Sequence, residues 1–420
     1  MGGTHLRRSI RRNHPPHRGR RRNSRRHDGR VGHEGGRRPV RLGRYELTLE
    51  PRPAPPAIFT ALTAVVAILL ALALSSFLFL SSHTRLIDAY RAVFSYAFFN
   101  PHGVLATVHR SIYLLFCTYA FLVPFRAGLW NIGLPGQVYA GGLAAFAVPF
   151  VLRAHDPQTL PLPPGLLIVL MIAAAAAAGA ATGGFAGVLR AKLQVNEILV
   201  TMMLNSILFW LVAYMIKEGG PFMSATGEGE SFGLPSSLHA PLLLGVPVTA
   251  ALALGVAVLL DLLFAKTALG YRIRAFGENP AAARYGGIIP VALSLLVFLL
   301  GGAFAALAGY HYFAAVPGVY KIPGNYGYYG DLGFYGIIAA LIARGSSLGA
   351  VPIVVLFAGL SVGARFAQGE LRLPFGVDYA LLGLLMMTFV ASHVLYHFRF
   401  AWRRIPSEAL QSVPTELPEG

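Results

Sequence analysis

The chain has 420 residues, of which 55% are hydrophobic and only 13% are charged. A soluble protein of this length would place roughly a quarter of its residues in Asp, Glu, Lys and Arg, so this composition excludes an ordinary water-soluble domain. The formal net charge of +17 is unevenly spread, because residues 1–56 hold 16 Arg against 4 acidic residues. The 364 residues that follow therefore carry a net charge of only +5.

The segment 1–56 has almost no apolar content and no periodicity, which predicts a disordered cytoplasmic tail. A basic tail can bind nucleic acid, but ahead of a membrane span its effect on topology is a sufficient explanation. We therefore expect no nucleic-acid partner. Cys117 is the only cysteine, so we predict no disulfide framework, no zinc set and no metal site.

Ten apolar windows approach or exceed the roughly 20 residues that cross a bilayer. They predict an all-α, polytopic transmembrane bundle over residues 57–398, followed by a cytoplasmic C-terminal tail at 399–420. Several windows contain Gly and Pro, so broken or re-entrant helices are expected. The predicted spans are 57–80, 105–125, 127–151, 165–189, 196–216, 242–264, 288–313, 331–348, 350–367 and 378–397.

Positive charge sets the predicted orientation, since cytoplasmic loops carry an excess of Lys and Arg. With the Arg-rich tail in the cytoplasm, the loops on that side are short and basic, whereas the outer loops are longer and mixed in charge. This pattern agrees with an even number of spans and with both termini in the cytoplasm. The predicted inner residues are Arg126, Arg190, Lys192, Lys266, Arg272, Arg274, Arg284, Arg344, Arg399, Arg403 and Arg404.

The segment 126–142 reads RAGLWNIGLPGQVYAGG. Its five glycines and Pro135 disfavour a continuous helix, and its Asn131 and Gln137 fall inside an apolar window. Irregular backbone is tolerated at membrane depth only inside protein or beside a water-filled cavity. The segment therefore predicts a broken helix near a translocation pathway, and the alternative is a surface loop between two spans.

The segment 194–205 reads QVNEILVTMMLN. Glu197, Thr201 and Asn205 are spaced four residues apart, so they share one face of a helix, and Asn196 is the predicted N-cap. A polar face on an apolar span indicates either hydrogen bonding between helices or the lining of a pathway or gate. Both interpretations stay open.

Residues 324–349 read GNYGYYGDLGFYGIIAALIARGSSLG, in which seven glycines accompany Asp331. Five tyrosines lie between Tyr320 and Tyr335. Tyrosine rings suit either an interfacial belt or a cavity wall that stacks on a flat ligand. The belt is the simpler interpretation near Tyr326, whereas Asp331 and Tyr335 are candidate pathway residues.

The segment 269–288 reads LGYRIRAFGENPAAARYGGI and is the longest polar interval on the predicted cytoplasmic side. Asn279 and Pro280 predict the N-cap and first residue of a short helix that ends at Tyr285. A basic helix at the membrane surface suits docking to another protein, and the alternative is a plain basic loop.

Four of these stretches resemble the permease subunits of bacterial ABC importers of the nucleoside and simple-sugar group, which are related to ribose and branched-chain amino-acid permeases. They are FRAGLWNIGLPGQ, NEILVTMMLN, GENPAAARYGGI and GFYGIIAALIARGSSLG, in this order, within about residues 89 to 394. The second stretch and the long outer loop 217–241 favour the nucleoside branch. The chain departs from the family at Pro135, where an acidic residue is usual, and at Gly336, where a larger residue is expected.

The resemblance implies that segment 277–287 is a coupling loop that inserts into a cleft on an ATPase subunit. It also implies three partners besides the lipid bilayer, namely an ATP-binding cassette ATPase, a second permease chain of the same or another kind, and an extracytoplasmic substrate-binding lipoprotein. The predicted coupling residues are Arg274, Gly277, Glu278, Asn279, Pro280, Ala281, Ala282, Ala283, Arg284, Tyr285 and Gly286. The predicted pathway residues are Asn131, Gln137, Asn196, Glu197, Thr201, Asn205, Asp331 and Tyr335.

The chain contains no GxxxxGK[ST] phosphate-binding loop, no HExxH motif and no nucleophile elbow. We therefore predict a non-catalytic subunit of the bacterial cell membrane that has no cofactor of its own, while its partner ATPase binds ATP and Mg²⁺. The alternatives are a permease for a simple sugar or branched-chain amino acid, and an ion-coupled secondary transporter. A secondary transporter would need several intramembrane carboxylates, and the candidates identified within or beside spans are Glu197, Asp261 and Asp331.

Overall fold

The computed structural model describes residues 40–42, 45–51, 57–154, 160–343 and 345–404. The chain divides into two units, one formed by Met1–Glu50 with Arg399–Gly420 and the other by Pro51–Phe398. The described strands β1 (Val40–Leu42), β2 (Tyr45–Pro51) and β5 (Phe398–Arg404) form a sheet in the order β1-β2-β5. β1 and β2 are antiparallel, with Val40 opposite Leu47.

The predicted disordered tail 1–56 contains β1 and β2, and all of its other residues lie outside the described part of the chain. Of the predicted C-terminal tail, residues 405–420 also lie outside it. The domain boundaries at residues 56 and 398 therefore stay predictions.

The second unit is a helical bundle, with thirteen α-helices in the described residues. A small hairpin of β3 (Leu242–Leu243) and β4 (Val246–Pro247) precedes α7, and one π-helical turn, His311–Ala315, extends α10. The helices are α1 (Ala57–Ser81), α2 (Leu86–Phe99), α3 (Pro101–Arg126), α4 (Leu134–Val151), α5 (Pro164–Leu193), α6 (Glu197–Ile216), α7 (Thr249–Lys266), α8 (Ala268–Glu278), α9 (Pro280–Tyr285), α10 (Pro290–Tyr310), α11 (Gly327–Ile342), α12 (Ala350–Glu370) and α13 (Val377–His397).

Within the described residues, 7 helices are long and apolar enough to cross a membrane, namely α3, α4, α5, α6, α7, α10 and α12. The count rises to 8 if Val65–Ser81 and Leu86–Phe99, which meet at 118°, form one bent span. Each of the ten predicted windows overlaps a helix, but α11 and the apolar part of α13 are shorter than the others. The predicted helical membrane bundle is confirmed, whereas the count of ten is not.

Helix α2 was not predicted, because Asp88 and Arg91 interrupt its apolar residues. In the structure Ala89, Val93 and Ala97 are buried at a spacing of four residues. This spacing is typical of an amphipathic helix with one packed face. The buried face lies on α12, where a Cβ at Gly363 would overlap the carbonyl oxygen of Val93.

Helices α5 and α10 pack through small residues, as expected where lipid gives no hydrophobic drive between helices. A Cβ on Gly179 would overlap the carbonyl oxygen of Gly302, and a Cβ on Gly183 would overlap that of Phe298. The two backbones are therefore in direct contact, with no room for a side chain between them.

Loops that the sequence assigns to one membrane side lie at a common end of the bundle. At one end, Arg126 Nε donates to Gly345 O over 3.0 Å. At the other end, Ser231 N donates to Ile322 O over 2.9 Å. These contacts agree with the predicted alternation of spans, and which end faces the cytoplasm stays a prediction.

We predict that Gly302→Ala destabilises the helical unit by about 1–3 kcal/mol, because the new methyl group would overlap the backbone of α5. The apparent melting temperature of the purified protein in detergent should fall. Gly165→Ala on α5 is the matched control, since nothing lies within 4 Å of a Cβ at that position. Equal melting temperatures for the two variants would contradict the importance of the α5–α10 contact.

Candidate functional site

The segment predicted as a coupling loop forms α8 and α9. Asn279 caps α9, because its Oδ1 accepts a hydrogen bond from Ala282 N over 3.0 Å. Pro280 lies in the first turn of α9, where an N–H would have no helical partner. The predicted short helix Pro280–Tyr285 is confirmed, whereas the preceding helix α8 was not predicted.

Helices α8 and α9 are anchored on one side and exposed on the other. Ile273 and Phe276 are buried, and the half-buried Arg274 donates from Nη1 to Phe264 O over 2.6 Å. A cleft of about 360 Å³ opens between the two helices. Of the other predicted coupling residues, Ala283 is buried and Gly277 half-buried, and the exposed ones are Glu278, Asn279, Pro280, Ala281, Ala282, Arg284, Tyr285 and Gly286.

Gly277 joins this exposed surface to the end of α3. A Cβ at Gly277 would overlap the carbonyl oxygen of Arg126, and a Cβ at Gly128 would lie 3.3 Å from Gly277 O. Gly128 has a φ of +72°, which side chains other than glycine rarely adopt. The α8–α9 surface therefore contacts the backbone of the connection between α3 and α4.

Asn131 and Gln137 pair inside the bundle. Asn131 Nδ2 donates to Gln137 Oε1 over 2.9 Å, and Gln137 Nε2 donates to Asn131 Oδ1 over 3.0 Å. Asn131 Nδ2 also lies 3.3 Å from Ala120 O. Ala120 is about 9 Å from the end of α3 at Arg126, at about 1.5 Å per residue. Segment 127–133 is therefore a re-entrant connection between two spans, in which Ala127, Leu129, Asn131 and Gly133 are buried. In this structure the two amides face each other.

Asn205 of α6 stabilises the same region, between Ile132 and Gly136, through two hydrogen bonds. Its Oδ1 accepts a hydrogen bond from Gly136 N over 2.8 Å, and its Nδ2 donates to Ile132 O over 3.1 Å. Gly136 lies in the first turn of α4, where backbone N–H groups have no partner in their own helix. One side chain thus satisfies two backbone groups that lack helical partners.

The remaining polar residues of α6 have separate partners. Asn196 is exposed and caps the helix, accepting from Ile198 N over 2.9 Å. Glu197 forms an ion pair with Arg190 at 3.0 Å. The buried Thr201 donates to Glu197 O over 2.8 Å within the same helix. Hydrogen bonding between elements therefore describes Asn205, whereas a role in lining the pathway stays a prediction for all four residues.

Asp331 and Tyr335 lie on α11, one turn apart. Asp331 is exposed and Tyr335 is half-buried. Tyr326, just before the helix, is 2% exposed and donates to Phe209 O over 3.0 Å, so its ring packs inside the protein and does not face lipid.

Three charged residues near Asp331 were missed by the sequence analysis. Arg110 donates to Tyr328 Oη over 3.3 Å, and Arg365 Nη1 lies 3.5 Å from Asp378 Oδ2. Each of the three lies in or at the start of a predicted span. Charge within an apolar window is the signal that identifies such positions. Asp378 adds a fourth carboxylate to the three candidates, Glu197, Asp261 and Asp331, that the sequence analysis named within or beside spans.

Cys117 is buried against α11, where a Cβ at Gly336 would lie 2.6 Å from Cys117 Cβ. This contact explains the glycine at a position where the family resemblance suggests a larger residue. In the described part of the chain, no group of three or more His, Cys, Asp or Glu residues is placed to hold a metal ion.

Residues 103–390 match the family described as branched-chain amino acid transport system / permease component. This match covers more than half of the chain. The chain belongs to this permease family. The resemblance drawn from the four sequence stretches is therefore confirmed.

The permease is 30% identical to the glucose ABC transporter permease protein of Haloferax volcanii, over 84% of this chain and 93% of the relative. It is 30% identical to the guanosine ABC transporter permease protein of Bacillus subtilis, over 82% of this chain and 96% of the relative. The nucleoside ABC transporter permease protein of Lactococcus lactis is 27% identical over 60% of this chain and 70% of the relative. With its apolar helices, the permease is a multi-pass plasma-membrane component of a transport complex.

We predict that Asn205→Leu lowers the apparent melting temperature of the purified permease, since two backbone groups lose their partner at about 1–3 kcal/mol each. Asn205→Asp keeps the acceptor for Gly136 N but faces Ile132 O with a carboxylate oxygen in place of a donor, so it should also melt below the wild type. Ser206→Ala, at the exposed neighbouring position, is the control. If all three variants melt together with the wild type, Asn205 does not hold the connection.

Proposed function

We propose that this permease forms the translocation pathway for a nucleoside in an ABC importer, where a separate ATPase subunit drives transport by docking on α8 and α9. One observation carries the proposal. The exposed α8–α9 surface is joined to the re-entrant connection by the backbone contact of Gly277 with Arg126. A partner that moves this surface would therefore move the segment that holds Asn131.

The chemistry of the α8–α9 surface suits a protein partner. Tyr285 is 95% exposed, Ile289 67% and Tyr271 64%, and Arg272 and Arg284 flank them. Aromatic side chains and arginines are enriched in protein–protein interfaces. A cleft on the ATPase that received α9 would bury these rings.

Nucleotide chemistry belongs to the partner in this proposal, because the chain has no phosphate-binding loop. The ATPase subunit would bind ATP and Mg²⁺, and the permease would be a non-catalytic subunit without a cofactor of its own. Closure of the ATPase would tilt the helical bundle as a rigid body. The connection 127–133 would follow, since it contacts Gly277.

A second permease chain, identical or different, is the proposed partner within the membrane. The α6 face leaves Trp210 67% exposed and Tyr214 71% exposed. A pathway between two chains would also enclose Asp331, whose exposure near the start of an apolar helix is otherwise costly.

A substrate-binding lipoprotein is the proposed partner at the other end of the bundle. The long loop 217–241 is fixed there by the ion pair of Glu230 with Lys321 at 2.7 Å. His239 stacks on Tyr320 with ring centroids 3.4 Å apart, and burial raises the pKa of the Tyr320 phenol. This fixed loop offers a surface on which a binding protein can dock.

The choice of a nucleoside has two supports. Two of the relatives are named for guanosine and nucleoside transport, and α11 carries tyrosines beside Asp331 that suit stacking on a base and hydrogen bonding to a ribose. A simple sugar is the second candidate, because the glucose permease relative is equally identical over a similar length.

We predict that cells expressing the whole complex take up radiolabelled nucleosides with saturation, and that unlabelled ribose, glucose and branched-chain amino acids compete weakly. Uptake should stop when ATP is depleted and persist when an ionophore collapses ion gradients. Saturable uptake of glucose or ribose alone would select the sugar alternative. Loss of uptake with the ionophore alone would select an ion-coupled transporter.

We predict that Gly277→Ala lowers nucleoside uptake roughly tenfold while the ATPase still co-purifies, because the methyl group separates α8 from the end of α3. In enzymes a misplacement of about 1 Å can cost a hundredfold in rate, and we expect a displaced coupling contact to slow transport in a comparable way. Gly255→Ala on α7 is the matched control, since nothing lies within 4 Å of a Cβ at that position.

Wild-type uptake by Gly277→Ala would show that transport does not depend on this contact. A chain with residues 277–285 scrambled should lose the ATPase on co-purification. If the ATPase stays bound to the scrambled chain, docking on α8 and α9 is wrong.

A further inference from the structure

We propose that Arg110, together with Tyr328, Ser361, Arg365 and Asp378, forms a binding site for the acceptor edge of a 6-oxopurine nucleoside, such as inosine or guanosine. This inference rests on the proposed function and adds the residue that selects among nucleobases. The site lies where α3, α11, α12 and α13 meet, near the end of the bundle opposite to Gly277.

Arg110 is a half-buried guanidinium inside a span, about 14 Å from the start of α3 at 1.5 Å per residue. Its Nη1 donates to Tyr328 Oη over 3.3 Å and to Ser361 Oγ over 3.1 Å. No ion pair in the described residues includes Arg110. A charge at such a depth is costly and marks a functional position by default.

The rest of the Arg110 guanidinium has no hydrogen-bond partner in the described residues. Both hydrogen bonds leave from Nη1, and no Arg110 atom is among the enclosed, unpartnered polar atoms of the described residues. Nε and Nη2 therefore face accessible space. Their N–H groups form the fork that matches two adjacent acceptors in one plane.

Arg365 and Asp378 complete the other side of the site. Asp378 is 3% exposed and lies 3.5 Å from Arg365 Nη1, so its charge is already paired. The Arg365 Cζ lies 4.3 Å from the centroid of the Tyr328 ring, and the Arg110 Cζ lies 5.6 Å from it. One ring thus orients both guanidinium groups, and only Arg110 lacks a carboxylate.

Tyrosine rings of α11 and α13 lie on one side of this site. Tyr328, Asp331 and Tyr335 are spaced three and four residues apart, so they share one face of α11. Tyr379 of α13 packs edge-on against Tyr328, with centroids 5.3 Å apart. Bases stack on such rings, and Asp331 is exposed beside them to accept a hydrogen bond from a ribose hydroxyl.

This chemistry selects a neutral, planar ligand with two adjacent acceptors. Arginine bound to O6 and N7 of guanine is the commonest specific contact between a side chain and a base. Adenine presents an amino group in place of O6, so it opposes the donors of Arg110. Sugars have no aromatic ring to stack on these tyrosines, and the Asp331 carboxylate would repel a phosphate attached to the ribose.

Competition for uptake by the complete transport complex, with one substrate-binding protein throughout, tests the inference. Wild-type complex should prefer inosine over adenosine. Arg110→Lys keeps the charge and loses the fork, so this preference should fall about tenfold while adenosine uptake is retained. Arg91→Lys, at an exposed position of α2, is the matched control.

A second variant separates recognition from folding, because Arg110 bridges three helices. Tyr328→Phe keeps the ring and removes only the hydroxyl that holds Arg110, so the preference should fall about threefold with an unchanged yield of complex.

Three results would overturn the site: an unchanged preference in both variants, an equal loss of inosine and adenosine uptake in Arg110→Lys, or stronger competition by inosine 5′-monophosphate than by inosine. If the wild type imports nucleosides and either of the first two results is found, the site alone fails. If the wild type imports no nucleoside, the site and the proposed substrate fail together.

Discussion

The side-chain amides of Asn131, Gln137 and Asn205 allow polar groups and irregular backbone to lie inside the bundle. Asn131 and Gln137 bond each other, and Asn131 Oδ1 accepts a hydrogen bond from Gly133 N over 3.3 Å. The membrane interior has no water to satisfy a free N–H or C=O group, and each such group costs several kcal/mol. Asn205 satisfies two such groups, because its side chain forms hydrogen bonds with Gly136 N and Ile132 O. Because these amides fix the connection 127–133, they also fix where α3, α4 and α6 meet and what α8 contacts.

Glycine makes the second kind of contact that this bundle needs. Gly179 and Gly302 bring two spans together along their backbones, and Gly128 and Gly277 do the same between a surface helix and the re-entrant connection. In both places a larger side chain would separate the elements. The first contact gives the bundle a closely packed pair of helices, and the second places its surface helices directly against the connection.

Much of this architecture follows from the sequence, because apolar windows, N-caps and glycines act locally. The windows located the long helices, and Asn279 with Pro280 located α9. The sequence could not show that Asn131 and Gln137 bond each other, since that pairing depends on a turn of the chain back into the bundle. It also did not predict α2, because charged residues interrupt the apolar pattern of its buried face. Nor did it bring together Arg110, Arg365 and Asp378, because these residues lie on three separate helices.

The contact between Gly277 and the end of α3 has a direction. In the described residues no hydrogen bond joins Gly277 to residues 126–128, so the two backbones only touch. Such a contact resists compression steeply and resists separation only through weak dispersion attraction. Under the proposed docking of an ATPase on α8 and α9, the joint would therefore transmit a push better than a pull. The return stroke would then depend on hydrogen bonds at the same end of the bundle, such as that of Arg126 with Gly345 or that of Arg274 with Phe264.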